Sequence, residues 1–168
     1  MADYLIVDGY NIINAWGNLK ETAKVNLSIS RQELIETLSE FKGLLWDHIL
    51  IVFDAHLSNQ AQHTEEIKGV MVIYTQEGET ADSLIESLVY ELVATGSIQV
   101  ATSDWQEQRV IMGKGALRLS ARDLNNIILE TKRGMRREFI NKHKGRNTLG
   151  NLLDENLKNK LENIRQKE

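Results

Sequence analysis

Four aspartates follow short apolar stretches of the chain. Asp8 and Asp54 come directly after two of these stretches, and Asp104 stands two residues beyond a third. Asp82 is reached from a fourth stretch through the acidic segment 77–82. If the stretches are parallel strands, their carboxyl ends meet at one edge of a sheet, and the four carboxylates converge there close to Asn11.

Converging carboxylates repel one another unless a cation compensates them. None of the four segments that carry these acids contains a Lys or Arg, so a hard divalent ion is the expected compensating charge. Oxygen ligands without Cys or a pair of His suit Mg²⁺ or Mn²⁺ and not zinc. Glu79 is a weaker candidate ligand in the same acidic segment.

Each acid also has a purely structural interpretation. Asp104 could cap the helix that follows it, Asp82 could favour the dipole of its helix, and Asp8 could form a turn with Gly9. His56 could position a phosphate, or it could be an ordinary loop residue. Three strands that end in Asp by chance are uncommon, so the acids taken together favour a site.

The apolar pattern predicts four strands and a short fifth, alternating with helices. The expected strands are residues 4–7, 49–53, 70–74, 98–102 and 116–119. Helix starts are expected at Ser30, Thr80 and Ser120, where capping residues precede apolar positions at helical spacing. Gly134 is expected to interrupt or bend the helix that begins at Ser120. This alternation predicts an α/β fold whose mostly parallel sheet is covered on both faces.

Charge is distributed unevenly along the chain. Residues 131–168 carry eleven basic and five acidic side chains, whereas residues 1–130 carry nine and nineteen. An acidic body with a basic C-terminal arm indicates a polyanionic partner, and a solvated helix face is the alternative interpretation.

Missing motifs exclude several functions. The absence of Cys excludes disulfides, thiolate metal sites and cysteine nucleophiles. The chain has no P-loop, no dinucleotide-binding glycine pattern and no nucleophile elbow. A phosphatase of the haloacid type requires a second Asp where Tyr10 stands. No apolar run reaches the length of a membrane span and no secretory signal is recognised, so a cytoplasmic location is expected.

Five motifs stand in the order of a known family. They are VDGYNII at 7–13, VFDAH at 52–56, EGETAD at 77–82, TSDW at 102–105 and the stretch 106–121 that ends in GALRLSA. Together they resemble the YacP-like NYN branch of the PIN-like nucleases over roughly residues 3–130. Within that branch, the chain is most similar to ribosome-associated endoribonucleases that cut mRNA in the ribosomal A site.

The resemblance implies a fold, a domain organisation and a chemistry. The fold is a PIN-like three-layer α/β/α arrangement, with a central mostly parallel sheet of four to five strands over residues 1–130. The distribution of charge and the helical spacing of its apolar residues, and not the resemblance, predict a basic helical extension over residues 131–168. The chemistry is Mg²⁺-dependent cleavage of RNA by an acidic set with one polar partner: Asp8, Asp54, Asp82, Asp104 and Asn11.

The chemistry of phosphodiester hydrolysis suggests a division of roles. We expect Asp8 and Asp104 to be the central metal ligands, and Asp82 to hold a second ion or orient the attacking water. Asp54 is expected to be a ligand or a partner of one. Attack by water, and not by the 2′-hydroxyl, leaves a 5′-phosphate and a 3′-hydroxyl.

Contacts to RNA must come from outside the acidic pocket, and ribosomes and mRNA are the expected partners. Tyr10 and Trp105 could stack on bases, although aromatics beside apolar runs are more often core residues. Three alternatives are an inactive ribosome- or RNA-binding module, a small-molecule phosphatase and a PIN-type toxin. The candidate cations for RNA binding are Lys114, Arg118, Arg122, Lys132, Arg133, Arg136, Arg137 and Lys144.

Overall fold

The computed structural model describes residues 2–55, 63–103 and 115–144, with residues 143 and 144 described by their backbone alone. The strands are β1 (Ala2–Asp8), β2 (Trp46–Phe53), β3 (His63–Ile67), β4 (Val70–Tyr74), β5 (Ile98–Ala101) and β6 (Leu117–Leu119). The helices are α1 (Gly9–Ala15), α2 (Gly17–Val25), α3 (Leu27–Ser39), α4 (Ala81–Leu92) and α5 (Ala121–Lys144).

The strands form one sheet in the order β3-β4-β2-β1-β5-β6. Every neighbouring pair is parallel except β3 and β4, which are antiparallel. In the register of the sheet, Asp8 is opposite Val52 and Val7 is opposite Ala101, so the carboxyl ends of β1, β2 and β5 lie together. The predicted α/β fold with a mostly parallel sheet is confirmed, but the sheet has six strands where four to five were expected, because the polar strand β3 lacks an apolar pattern.

Helices cover both faces of the sheet. Leu5, Ile6 and Val7 of β1 are all fully buried, although successive residues of a strand point to opposite faces. Ile6 belongs to the core cluster that also contains Ile85 of α4. Phe53 belongs to the other face, where its ring lies 5.0 Å from that of Tyr10 in α1. The helix α4 therefore lies opposite α1.

Two predicted features of the chain after β1 are wrong. A helix begins at Gly9 immediately after β1, where the sequence suggested a loop. The helix predicted to start at Ser30 begins at Leu27, because Asn26 caps it by accepting the N–H groups of residues 28 and 29. The Ser30 hydroxyl is buried instead and donates to the carbonyl of Leu19.

The described residues divide into two compact units, which separate between Asn126 and Ile127. Helix α5 continues without interruption through Gly134, so the predicted break there is wrong. None of the described helices is long and apolar enough to cross a membrane. The sequence also predicts helices near residues 105–112 and 149–164, which lie outside the described residues.

Candidate active site at the carboxyl edge of the sheet

Asp8 occupies the junction between β1 and α1. It is the last residue of the strand and the N-cap of the helix, and its Oδ1 accepts the N–H of Asn11 at 3.2 Å. The cap fixes the carboxylate at the edge of the sheet. The structural and the functional interpretations of Asp8 are therefore compatible.

Asp54 connects the end of β2 to the start of α4. Its Oδ2 accepts the N–H of Ala81, the first residue of α4, at 3.4 Å. The next residue, Ala55, is held by the buried Thr75, whose hydroxyl accepts the Ala55 N–H at 2.9 Å. Thr75 in turn donates its own N–H to the carbonyl of Phe53 at 3.0 Å. These two hydrogen bonds of Thr75 fix the backbone on either side of Asp54.

Asp82 lies in the first turn of α4, as predicted. The helix is capped by Thr80, whose hydroxyl oxygen accepts the Ser83 N–H at 3.2 Å. The side chain of Asp82 is exposed. Glu79, the weaker candidate, points back to its own turn, since its Oε2 accepts the N–H of Gln76 at 3.5 Å.

Asp8, Asp54 and Asp82 line one cleft of about 370 Å³, and Glu79 does not. Three of the four predicted acids contribute to its wall, and no Lys, Arg or His is among the described residues that line it. Asp104 and His56 lie outside the described residues. The lining residues are Asp8, Tyr10, Asn11, Asn14, Asp54, Thr80, Ala81 and Asp82.

Asn11 joins this cleft to the segment after β5. Its Oδ1 accepts the N–H of Ser103 at 2.6 Å, across 92 positions of the chain. Ser103 directly precedes Asp104 in the sequence. Asn11 therefore holds the chain at the point from which Asp104 departs, which is a positioning contact that the sequence motif alone does not reveal.

A buried cation beneath the cleft was not predicted. Arg31 of α3 has 8% of its surface exposed, and its Nη1 donates to the Tyr10 hydroxyl at 3.0 Å. The guanidinium also lies 5.9 Å from the centre of the Tyr74 ring, and burial raises the pKa of Tyr74. Arg31 precedes Leu34 and Ile35 at helical spacing, a pattern that could have placed it on the buried face of α3.

The buried aromatic residues belong to the core beneath the cleft. Tyr10 has 6% of its surface exposed, which agrees with the core interpretation and not with base stacking. Phe53 lies between Tyr10 and Tyr74, with ring centres 5.0 and 5.5 Å away. Trp105 lies outside the described residues.

The donor chemistry of the cleft suits a hard divalent ion. Its carboxylates come from three different segments and face no basic side chain among the described lining residues. No group of three or more His, Asp or Glu in the described residues is close enough to bind a metal by itself. Mg²⁺ commonly keeps several waters and uses only one or two carboxylates, so the residues present fit this ion.

The predicted RNA-binding cations fall into separate groups. Arg118 lies in β6 and Arg122 in the first turn of α5, and both are exposed. Lys114 lies outside the described residues, as does the side chain of Lys144. The remaining four are exposed along α5: Lys132, Arg133, Arg136 and Arg137.

Comparison with known proteins decides the family. The profile of the YacP-like NYN domain matches residues 5–166. The chain belongs to the YacP-like NYN domain family. YacP of Bacillus subtilis (strain 168) is 44% identical over 124 residues, which are 73% of this chain and 72% of the relative.

Solved structures agree with this family assignment. The crystal structure of Rae1 (YacP) from Bacillus subtilis is matched with a TM-score of 0.67 and 38% identity, over 98% of this chain and 95% of that one. A mutant of the same protein is matched with a TM-score of 0.67 and 40% identity, over 80% of this chain and 79% of that one. Membership of the family is consistent with a nuclease domain.

Proposed function

We propose that this YacP-like NYN protein is a divalent-metal-dependent endoribonuclease. It hydrolyses RNA phosphodiester bonds to 5′-phosphate and 3′-hydroxyl ends, and its substrate is mRNA on the ribosome, which places it in the cytoplasm. The observation that carries the proposal is the cleft in which Asp8, Asp54 and Asp82 meet at the carboxyl edge of the sheet. Ligands bind at this edge in open parallel sheets.

The acids of the cleft, together with Asp104, would hold the metal and orient water. Asp8 and Asp104 are the proposed central ligands, Asp54 is a ligand or supports one, and Asp82 orients the attacking water or holds a second ion. A bound Mg²⁺ or Mn²⁺ supplies a more acidic water and offsets the charge that builds on the phosphate. Asn11 is the proposed positioning residue, because its oxygen already accepts the N–H of Ser103.

The described lining of the cleft favours attack by water over attack by the 2′-hydroxyl. Attack by the 2′-hydroxyl needs a side chain to accept its proton and another to protonate the leaving oxygen. His and Lys, which often transfer such protons, are missing from the described residues of the cleft, and the carboxylates that could also transfer them are those proposed to hold the metal. Carboxylates around a metal-activated water suit hydrolysis instead.

Attraction of RNA would come from the basic C-terminal extension, residues 131–168. The acidic body repels polyanions, so exposed cations on α5 are proposed to contact mRNA or ribosomal RNA. Neutralising Arg133, Arg136, Arg137 and Lys144 as Gln should weaken co-sedimentation with ribosomes and flatten its salt dependence. Unchanged binding at every salt concentration would contradict this role.

The proposal is tested by RNA cleavage with and without translating ribosomes. Wild type should cleave RNA in Mg²⁺ and should not cleave it in EDTA. Asp8→Asn should not cleave RNA with or without ribosomes, even in Mg²⁺, while its circular dichroism spectrum stays that of wild type. Mapping of the product ends should give 5′-phosphates. Binding without any cleavage by wild type would support the inactive RNA-binding module and reject the enzyme.

A further inference from the structure

A second cavity, of about 410 Å³, shares no lining residue with the acidic cleft. Two arginines line it, Arg118 from β6 and Arg122 from α5, and no acidic residue does so among the described residues. Asp123, which directly follows Arg122, accepts the Ser120 hydroxyl with its Oδ2 at 2.6 Å, at the start of α5. We call this space the arginine cavity.

The wall of the arginine cavity is rich in hydrogen-bond donors and is held by one buried side chain. The buried indole of Trp16 donates its Nε1–H to the carbonyl of Ala121 at 2.9 Å, which ties the start of α2 to the start of α5. Trp16 is the N-cap of α2 and gives it no side-chain cap. Asn18, in the first turn of α2, and Asn125 add amide groups to the same wall.

The arginine cavity and the acidic cleft are neighbours through one hydrogen bond. Ser103 lines the cavity and Asn11 lines the cleft. The Ser103 N–H donates to Oδ1 of Asn11 at 2.6 Å. This contact is the reason to consider the cavity for the part of an RNA strand that lies next to the acids.

We propose that the arginine cavity binds a backbone phosphate of the RNA strand that is cleaved, and that this phosphate is a neighbour of the scissile phosphate. Guanidinium groups present several N–H donors in a plane that matches phosphate oxygens. The one aromatic ring in the wall, that of Trp16, is buried and already bonded, so the described wall has no platform for a base. The cavity positions the strand without reading its sequence. This inference rests on the proposed function.

Binding of a fluorescent single-stranded RNA nonamer, followed by anisotropy in EDTA across a salt series, tests the inference. The variant is Arg118→Gln/Arg122→Gln, and the control is Lys20→Gln/Lys24→Gln, which removes the same charge from exposed positions of α2 outside the cavity. Arg118→Gln/Arg122→Gln should bind the RNA about tenfold more weakly. The slope of its log K against log salt should be shallower by roughly 0.7 for each phosphate that the variant no longer neutralises. The control should stay close to wild type.

The outcomes separate this inference from the proposed function. An Arg118→Lys/Arg122→Lys variant should recover most of the salt slope, because it keeps the charges. Three results would each overturn phosphate binding by the cavity. They are equal weakening of RNA binding in Arg118→Gln/Arg122→Gln and Lys20→Gln/Lys24→Gln, an unchanged salt slope in Arg118→Gln/Arg122→Gln, and no RNA binding by wild type. Absence of cleavage by wild type in Mg²⁺ would overturn the enzyme and leave the binding result intact.

Discussion

Replacing Gly9 with Ala tests the packing that holds the acidic edge together. Gly9 begins α1 directly beside Asp8, and a Cβ at this position would clash with Cε1 of Phe53 and lie 2.5 Å from its Cδ1. An ordinary contact begins near 3.4 Å, so the ring or the helix must move by about 1 Å. Phe53 has no exposed surface and packs against two tyrosines, so it has little room to move.

The expected cost follows from two opposing effects. Overpacking a buried site costs typically about 1–3 kcal/mol, whereas Gly→Ala recovers roughly 0.4–1 kcal/mol by restricting the unfolded chain. Gly9→Ala should therefore lower the free energy of unfolding by about 1–2 kcal/mol. It should also slow RNA cleavage, because the displaced groups adjoin Asp8 and Asp54.

Urea unfolding followed by circular dichroism measures this change, with the midpoint and the slope fitted separately. The control is Gly134→Ala, since a Cβ there meets nothing within 4 Å and lies inside the continuous α5. The control should be neutral or more stable, by up to about 1 kcal/mol. Wild-type stability and cleavage in Gly9→Ala would show that α1 does not pack this closely on Phe53.

Three further changes have defined outcomes. Hydrogen bonds from the Ser97 hydroxyl and N–H lower the pKa of Asp3. The stabilisation of the fold by these bonds is therefore present above about pH 4 and is lost as the pH falls through the lowered pKa. Ser97→Ala should be less stable than wild type at pH 7 in urea titrations, and the difference should shrink below pH 4. Tyr10→Phe removes the Tyr10 hydroxyl that accepts from the buried Arg31 and should cost about 1–3 kcal/mol in the same titrations, and a stability equal to wild type would contradict that contact. Mn²⁺ should raise the melting temperature of wild type and not that of Asp8→Asn, because it binds the folded site alone, and equal shifts would reject the metal site.

The sheet was predictable because its central strands are apolar on both faces. Residues 70–74 form β4 as predicted, and the other predicted strands differ by a few residues at their ends. The exception is β3, whose sequence His63–Ile67 is mostly polar and exposed at the edge of the sheet. An edge strand needs no alternating apolar face, so the pattern that reveals the other strands is missing there.

The gathering of Asp8, Asp54 and Asp82 was predictable from the ends of the strands. The neighbours that fix these acids were not, because they depend on contacts between distant parts of the chain. Asn11 reaches Ser103, and the buried Arg31 reaches Tyr10, through hydrogen bonds that no local spacing encodes. The catalytic role of the acids stays a prediction.

The most direct test of the metal-dependent nuclease is the cleavage rate of Asp82→Asn beside a matched acid outside the cleft. Asp82 and Asp47 are both exposed, but Asp47 lies near the amino end of β2, away from the carboxyl ends of the strands where the cleft lies. Under the condition in which wild type cleaves RNA, Asp47→Asn should retain its rate, and Asp82→Asn should be slower by about 100-fold or more with an unchanged fold. Wild-type cleavage by Asp82→Asn, or cleavage by wild type that persists in EDTA, would contradict the account.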